Sequence, residues 1–263
     1  MQKNYSQPLS KNLNVKKTFL QTLGPGLLFA GAAIGVSHLV QSTKAGAEFG
    51  FGLLWALLLV HLFKYPFFQF GPRYAAATGE TLLEGYQKLG KGVLVAYYLL
   101  NFATMFTIQA AVTIVTAGLA SQLFGLTDNL VIWSTVLLLI SITLLIVGRY
   151  KLLDNLMKYI IIILTVSTII AVSVALFSTK DAFDITQILP SGTVEITFLI
   201  AFLGWMPAPL DVAVWHSIWS IEKSKNNNQK TTPKEAILDF NIGYLGTLFL
   251  GICFVLLGAL VMH

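Results

Sequence analysis

The most informative part of the chain is GPGLLFAGAAIGVSHLVQSTKAGAEFG, residues 24–50. It begins as an apolar run that can enter a membrane, and it then places Gly35, Ser37 and His38 where residues facing lipid are expected. Glycine weakens a helix, and an ionisable side chain inside a membrane is functional by default. We therefore predict a first membrane helix that is interrupted at Gly35.

The composition extends this prediction to the whole chain. Of its 263 residues, 56% are apolar and 11% are charged, whereas about one quarter are charged in soluble domains. Apolar runs of about 18 residues or more can cross a bilayer. The sequence predicts an all-α membrane protein with about seven transmembrane helices, at residues 18–43, 49–70, 93–123, 130–148, 157–177, 193–220 and 239–262.

The net charge of +5 comes from lysine and arginine residues that lie mainly in alternate loops, so it does not indicate a nucleic-acid surface. Lysine and arginine cluster before span one and in every second loop, whereas the opposite loops carry only Lys44 and Lys180. The positive-inside rule then places the N-terminus in the cytoplasm of a multi-pass inner (plasma) membrane protein. Span one is too long for a signal-peptide core, so we expect it to be retained.

The spans suggest three parts: a cytoplasmic tail at 1–17, a first five-helix repeat at 18–192 and a partial second repeat at 193–263. The polar stretch 73–91 predicts a short interfacial helix with Glu80 and Glu84 on one face. The low-complexity stretch 222–235 predicts a mobile loop. The single cysteine, Cys253, allows no disulfide framework.

A second interruption is predicted in span six, at the sequence MPAP, residues 206–209. Proline has no N–H, so Pro207 leaves the carbonyl of Leu203 without its helical donor, and Pro209 does the same to Trp205. Such backbone persists in a membrane only where protein, water or an ion satisfies it. Paired broken helices in two halves of a chain indicate the substrate site of an inverted-repeat transporter.

With both breaks located, residues 24–59, GPGLLFAGAAIGVSHLVQSTKAGAEFGFGLLWALLL, resemble the first two helices of the NRAMP family of divalent-metal transporters. The GPG start, the AGA at 45–47 and the FGFGLLWALLL segment align without a gap. The likeness continues more weakly through FGPRYAAATGETLLEGY to Met206 and Pro207. The resemblance implies a LeuT-like inverted-repeat fold with helices one and six broken.

In that register the family's Asp-Pro-Gly-Asn signature falls on residues 35–38, so its metal-binding aspartate is Gly35 and its metal-binding asparagine is His38. The family's coordinating methionine falls on Met206, and its coordinating carbonyl on Leu203. The resemblance therefore implies a metal site of His38, Met206 and the carbonyls of Gly35 and Leu203. The family's His-Asn becomes Ala208-Pro209, which marks a divergent branch.

Two further departures concern coupling and length. Acidic positions of the family's proton pathway fall on Gln109 and Val112, which leaves proton coupling open. The family's fold needs at least ten helices, so we expect either a truncated chain or helices supplied from elsewhere.

The remaining polar residues of the spans receive secondary roles. Asp211 lies five residues after Met206, and we predict that it assists the metal site as a direct, indirect or proton-linked group. Ser37, Gln41, Gln109 and His216 are assigned to the pathway around the site. His61 and Lys64 are expected toward the cytoplasmic end of span two, where lysine can extend to the interface, and are given no role.

The sequence contains no enzyme motif. The predicted function is transport of manganese-like or iron-like divalent cations, because imidazole and thioether ligands suit transition metals better than magnesium. The metal is substrate, and no cofactor is expected; the other predicted partner is the lipid bilayer. One alternative keeps the fold and moves amino acids or other small organic solutes, and another is a membrane metal sensor or truncated paralogue that does not transport.

Overall fold

The computed structural model of the chain describes residues 23–178, 184–226 and 230–263, without the side chains of residues 149–151. In these ranges every regular element is a helix. The predicted tail at 1–17 lies outside them. The elements are α1 (Pro25–Ala33), a π-helical segment (Ile34–Ser42), α2 (Thr43–Phe49), α3 (Leu54–Thr78), α4 (Leu82–Leu89), α5 (Lys91–Phe124), α6 (Leu130–Ser178), α7 (Thr193–Trp205), α8 (Val212–Asn226) and α9 (Pro233–Val261).

Within the described ranges, five helical stretches are long and apolar enough to cross a membrane: Pro25–Phe49, Lys91–Phe124, Leu130–Gly148, Leu152–Ser178 and Pro233–Val261. The other two predicted spans differ in kind. Helix α3 has 25 residues, but polar residues such as His61 and Lys64 lower its hydropathy. The sixth span is divided into α7 and α8, and α7 alone has 13 residues.

The predicted spans four and five are joined without an interruption. Helix α6 runs through 49 residues, so the interruption expected at residues 149–156, between the two predicted spans, is wrong. This stretch, RYKLLDNL, contains no proline or glycine, and its leucine, arginine and lysine residues favour a helix. The charged residues in the middle of α6 therefore make this segment polar without ending the helix.

Helix α9 is the element against which both parts of the first span pack. Glycines make the approach close: a Cβ on Gly243 would lie 2.0 Å from the carbonyl oxygen of Gly26, and one on Gly258 would lie 2.0 Å from that of Thr43. Small residues at helix contacts are typical of membrane helix packing. The backbones on both sides of the first break are thereby fixed against α9.

Asp239 fixes the start of α1 from the same helix α9. Its two carboxylate oxygens each accept a 2.9 Å hydrogen bond, one from the amide of Gly24 and one from the amide of Gly26. The first amides of a helix have no partner within it, and a negative charge is favourable there. This buried carboxylate thus positions the helix that leads into the break.

The first polar connection contains the predicted short helix, and the second is more ordered than predicted. Thr81 and Glu84 form a capping box that begins α4, so Glu80 precedes the helix and does not share a helical face with Glu84. Glu80 instead accepts from Lys88 at 2.6 Å, and this contact holds the pKa of Glu80 below its usual value. In the predicted loop 222–235, helix continues to Asn226 and begins again at Pro233; residues 227–229 lie outside the described part.

Candidate functional site

The first helix break occurs at Gly35, as predicted. Its backbone is non-helical, with φ −69° and ψ −128°, and the following residues to Ser42 form a π-helical segment. The wide turn directs Ser37 and His38 inward, and both side chains are buried. A Cβ at Gly35 would have no atom within 4 Å, so the position of the family's aspartate faces open space in this chain.

The second break lies between α7 and α8. Helix α7 ends at Trp205, and Met206 has an extended backbone with φ −84° and ψ 139°. Helical structure returns at Val212. The prolines at 207 and 209 account for the interruption, because neither can donate to the preceding turn. The side chain of Met206 is completely buried.

The two breaks meet inside the protein. Ser42 Oγ donates to Met206 Sδ at 3.6 Å, and Ser37 Oγ donates to the carbonyl of Pro207 at 3.3 Å. Gly251 of α9 marks the meeting point: a Cβ there would lie 3.4 Å from both His38 Cδ2 and Met206 Cε. The structure therefore brings together the two side chains that the sequence singled out as metal ligands.

His38 is held at both ring nitrogens. Nε2 lies 3.0 Å from the carbonyl of Thr247, and Nδ1 lies 2.9 Å from Ser37 Oγ and 2.9 Å from the carbonyl of Ala33. A neutral imidazole has one N–H. With that hydrogen on Nε2, Thr247 is satisfied and the Nδ1 lone pair faces Ser37. Donation from one ring nitrogen to a backbone carbonyl is how proteins orient a metal-binding histidine.

The polar atoms around His38 Nδ1 include more hydrogen-bond acceptors than donors. The hydroxyl of Ser37 lies close to the carbonyls of Ala33 and Pro207 as well as to the His38 ring. One hydroxyl hydrogen cannot serve three acceptors. An arrangement of acceptors with too few donors is favourable for a cation, which can be approached by all of them at once.

His61 also belongs to this group, which the sequence interpretation missed. It is buried, its ring centroid lies 6.3 Å from that of His38, and the two planes are nearly perpendicular. Nδ1 donates to the carbonyl of Leu57 at 2.8 Å, since a carbonyl can only accept. Nε2 then carries a lone pair, and it has no hydrogen-bond partner in the described part of the chain.

Lys64 lies one helical turn after His61, and the expectation that it extends to the cytoplasmic interface is wrong. Its ammonium group donates to the carbonyls of Leu203, Gly204 and Met206 at 2.8, 2.8 and 2.7 Å. The carbonyl of Leu203, which was predicted to lack a helical donor because Pro207 has no N–H, accepts from Lys64 instead. This carbonyl is also a predicted metal ligand.

The other predicted site residues lie elsewhere. Asp211 lines a cavity of about 610 Å³ together with Tyr86, Tyr97 and Asn101, a set that includes neither His38 nor Met206. The ring of His216 is buried against Phe29 and Phe240, at 5.7 Å from each.

The two glutamines assigned to the pathway differ in exposure. Gln109 is exposed on α5, where it donates to Thr113. Gln41 has a buried Oε1 with no partner among the described residues. Gln41 therefore remains near the first break, whereas Gln109 faces outward from α5.

The group around His38 offers several ligand types in one place. It combines two imidazoles, a thioether and backbone carbonyls, and Cys253 is a free buried thiol elsewhere. In the ranges that the structure describes, no group of three or more histidine, cysteine, aspartate or glutamate residues is arranged so that it could hold a metal ion. A cation here would be bound by nitrogen, sulfur and carbonyl oxygen rather than by a carboxylate cluster.

Comparison with known proteins identifies the family of the chain. Residues 26–263 match the model of the family described as natural resistance-associated macrophage protein-like, or Nramp. The chain is also 39% identical over 246 residues to an uncharacterized protein of Pasteurella multocida, an alignment that covers 92% of this chain and 56% of that protein. The chain thus spans little more than half the length of this curated relative. From its sequence and its apolar helices, the chain is a multi-pass membrane protein that belongs to the Nramp family.

Proposed function

We propose that the chain forms the cation site of a transporter for divalent transition-metal ions, which are its substrate. Membership of the Nramp family supports metal-ion transport. The observation that carries the proposal is the convergence of His38 and Met206, from two broken helices, on the same point beside Gly251. Broken helices that meet inside a membrane protein form substrate and ion sites in inverted-repeat transporters.

The ligand types support a transition metal. With metal–nitrogen distances of about 2.1 Å, two imidazoles on one ion have ring centroids about 5.3 Å apart in a tetrahedral site and up to about 6.5 Å apart when they lie on opposite sides of the ion. The rings of His38 and His61 are 6.3 Å apart, which suits ligands on nearly opposite sides of one ion. Imidazole and thioether groups favour iron, cobalt, nickel and zinc over magnesium and calcium. We assign His38 Nδ1, Met206 Sδ and His61 Nε2 as the ligands.

The transport cycle in this proposal follows the LeuT-like scheme. Residues 18–192 form the first repeat and residues 193–263 part of the second, and the bundle with the two broken helices rocks against the rest. The protein lies in the plasma membrane with its N-terminus in the cytoplasm. Gln109 stands where the family has a carboxylate, so we propose metal movement that needs no proton pathway on α5.

Calorimetric titration of the purified full chain in lipid nanodiscs tests the proposal. We expect saturable binding of manganese and cadmium, and at least tenfold weaker binding of magnesium. Binding of an amino acid from a standard panel, without metal binding, would instead establish an organic-solute transporter. Metal binding without uptake of radioactive manganese into proteoliposomes would establish a sensor.

A further inference from the structure

Lys64 supplies a positive charge at the break between α7 and α8, in the way that a bound ion would. Its Nζ lies 2.8 Å from the carbonyl oxygens of Leu203 and Gly204, and 2.7 Å from that of Met206. An ammonium group has three N–H donors and no acceptor. All three donors are therefore used on one short segment of backbone.

These carbonyls form a cation-binding position by their place in the chain. They lie at the C-terminal end of α7, where unpaired carbonyls give the helix end a partial negative charge. Pro207 removes the donor that would have satisfied Leu203. In inverted-repeat transporters, half-helix C-termini and unwound carbonyls coordinate monovalent ions.

The charge of Lys64 is balanced by these dipoles alone among the described contacts. The described ion pairs include Lys44 with Glu48, Lys88 with Glu80, Lys158 with Asp154 and Lys225 with Glu222, and none of these includes Lys64. Lys64 is itself half-buried. A positive charge that enters a membrane helix without a carboxylate partner is costly unless the carbonyls stabilise it.

The carbonyl position is linked to the proposed metal site through Met206. The carbonyl of Met206 accepts from Lys64, while its sulfur accepts from Ser42 in the first broken helix. Gly204 also lines a cavity of about 370 Å³ beside α5, together with Thr104 and Thr107. A small ion could therefore reach the carbonyls if the lysine side chain were absent.

We propose that Lys64 is a tethered cation: its ammonium group permanently fills a monovalent-cation subsite formed by the carbonyls of Leu203, Gly204 and Met206. The native chain therefore needs no added monovalent ion to hold Met206 in place. Removal of the lysine side chain opens the subsite to an ion of the sodium class. The inference rests on the proposed function for its place in a transport cycle, but occupancy of the subsite can be measured without metal.

The test compares thermal unfolding of the full chain in sodium chloride and in choline chloride at equal ionic strength. For Lys64→Ala we expect a midpoint lower than that of the native chain in choline, and a saturable rise of about 3 °C or more with sodium. The native chain and Lys64→Arg should show no difference between the salts. Lys44→Ala, which removes an exposed lysine, is the control for net charge.

A second variant and a direct measurement keep the outcome decisive. Lys64→Met retains the length of the side chain without its charge, and it should bind radioactive sodium where the native chain does not. Absence of a sodium effect in both variants would refute the subsite, as would failure of both to fold in either salt, because Lys64 would then be only a structural cap. Manganese titration of the native chain reports separately on the proposed function.

Discussion

The imidazole rings of His38 and His61 lie edge to face, with centroids 6.3 Å apart and planes at 80°, although one belongs to the first broken helix and the other to α3. Each ring has a nitrogen that donates to, or can donate to, a backbone carbonyl, of Thr247 and Leu57 respectively. The other nitrogen of each ring, Nδ1 of His38 and Nε2 of His61, then carries a lone pair. This relationship is the basis of the proposed metal site.

Replacement of His61 tests whether the second ring is a ligand. In His61→Ala we expect manganese affinity to fall by about tenfold or more, because changes to metal-site histidines and the groups that orient them commonly cost 10- to 100-fold. Titration calorimetry on the purified chain measures the change. His263→Ala removes an exposed histidine and should bind as the native chain does; equal affinities in both variants would exclude His61.

Replacement of Met206 by leucine tests the thioether. Leucine has a similar volume, so the fold should be retained, whereas the soft sulfur ligand is lost. We expect cadmium affinity to fall by about tenfold and manganese affinity by less than about threefold, since thioether sulfur selects softer ions. The ratio of the two affinities is the measured quantity, and an unchanged ratio would contradict sulfur coordination.

Two glycines of α9 test the geometry of the site. A Cβ on Gly251 would lie 3.3 to 3.4 Å from Leu57, His38 and Met206, whereas one on Gly246 would have no atom within 4 Å. Gly251→Ala should therefore displace both proposed ligands and weaken manganese binding, while Gly246→Ala should leave it unchanged. Similar binding by the two variants would show that the ligands do not meet beside Gly251.

Gly35 tests the role of the missing carboxylate. The space in front of it is open, so Gly35→Asp can place a negative charge beside the first break. Hard oxygen ligands suit magnesium and manganese, and we expect tighter binding of both, with a smaller preference for manganese over magnesium. Gly35→Asn has the same shape without the charge, and an equal gain in Gly35→Asn would show that charge is not the cause.

The helix breaks could be predicted from the sequence because their causes are local. Gly35 weakens a helix, and Pro207 removes a donor, whatever surrounds them. The register of the resemblance then selected His38 and Met206, which the structure places together beside Gly251. Local chemistry and the resemblance therefore identified both halves of the proposed site.

The contributions of α3 could not be obtained in the same way. Whether His61 and Lys64 point to lipid, to the interface or to the broken helices depends on the rotation and depth of α3 in the packed protein. The sequence signal for their role was the presence of two ionisable residues inside an apolar span, since such residues commonly mark functional sites. The position of Asp211 could not be obtained from its spacing to Met206 either, because the backbone is not helical between Met206 and Val212.

A metal-competition assay on the purified full chain tests most sharply whether a metal site lies at the two helix breaks, with manganese competing against bound cadmium in the native protein and in His38→Ala. We expect saturable competition in the native protein and at least a tenfold loss of affinity for both ions in His38→Ala. Cadmium and manganese affinities that His38→Ala leaves unchanged would contradict a metal site at the two helix breaks.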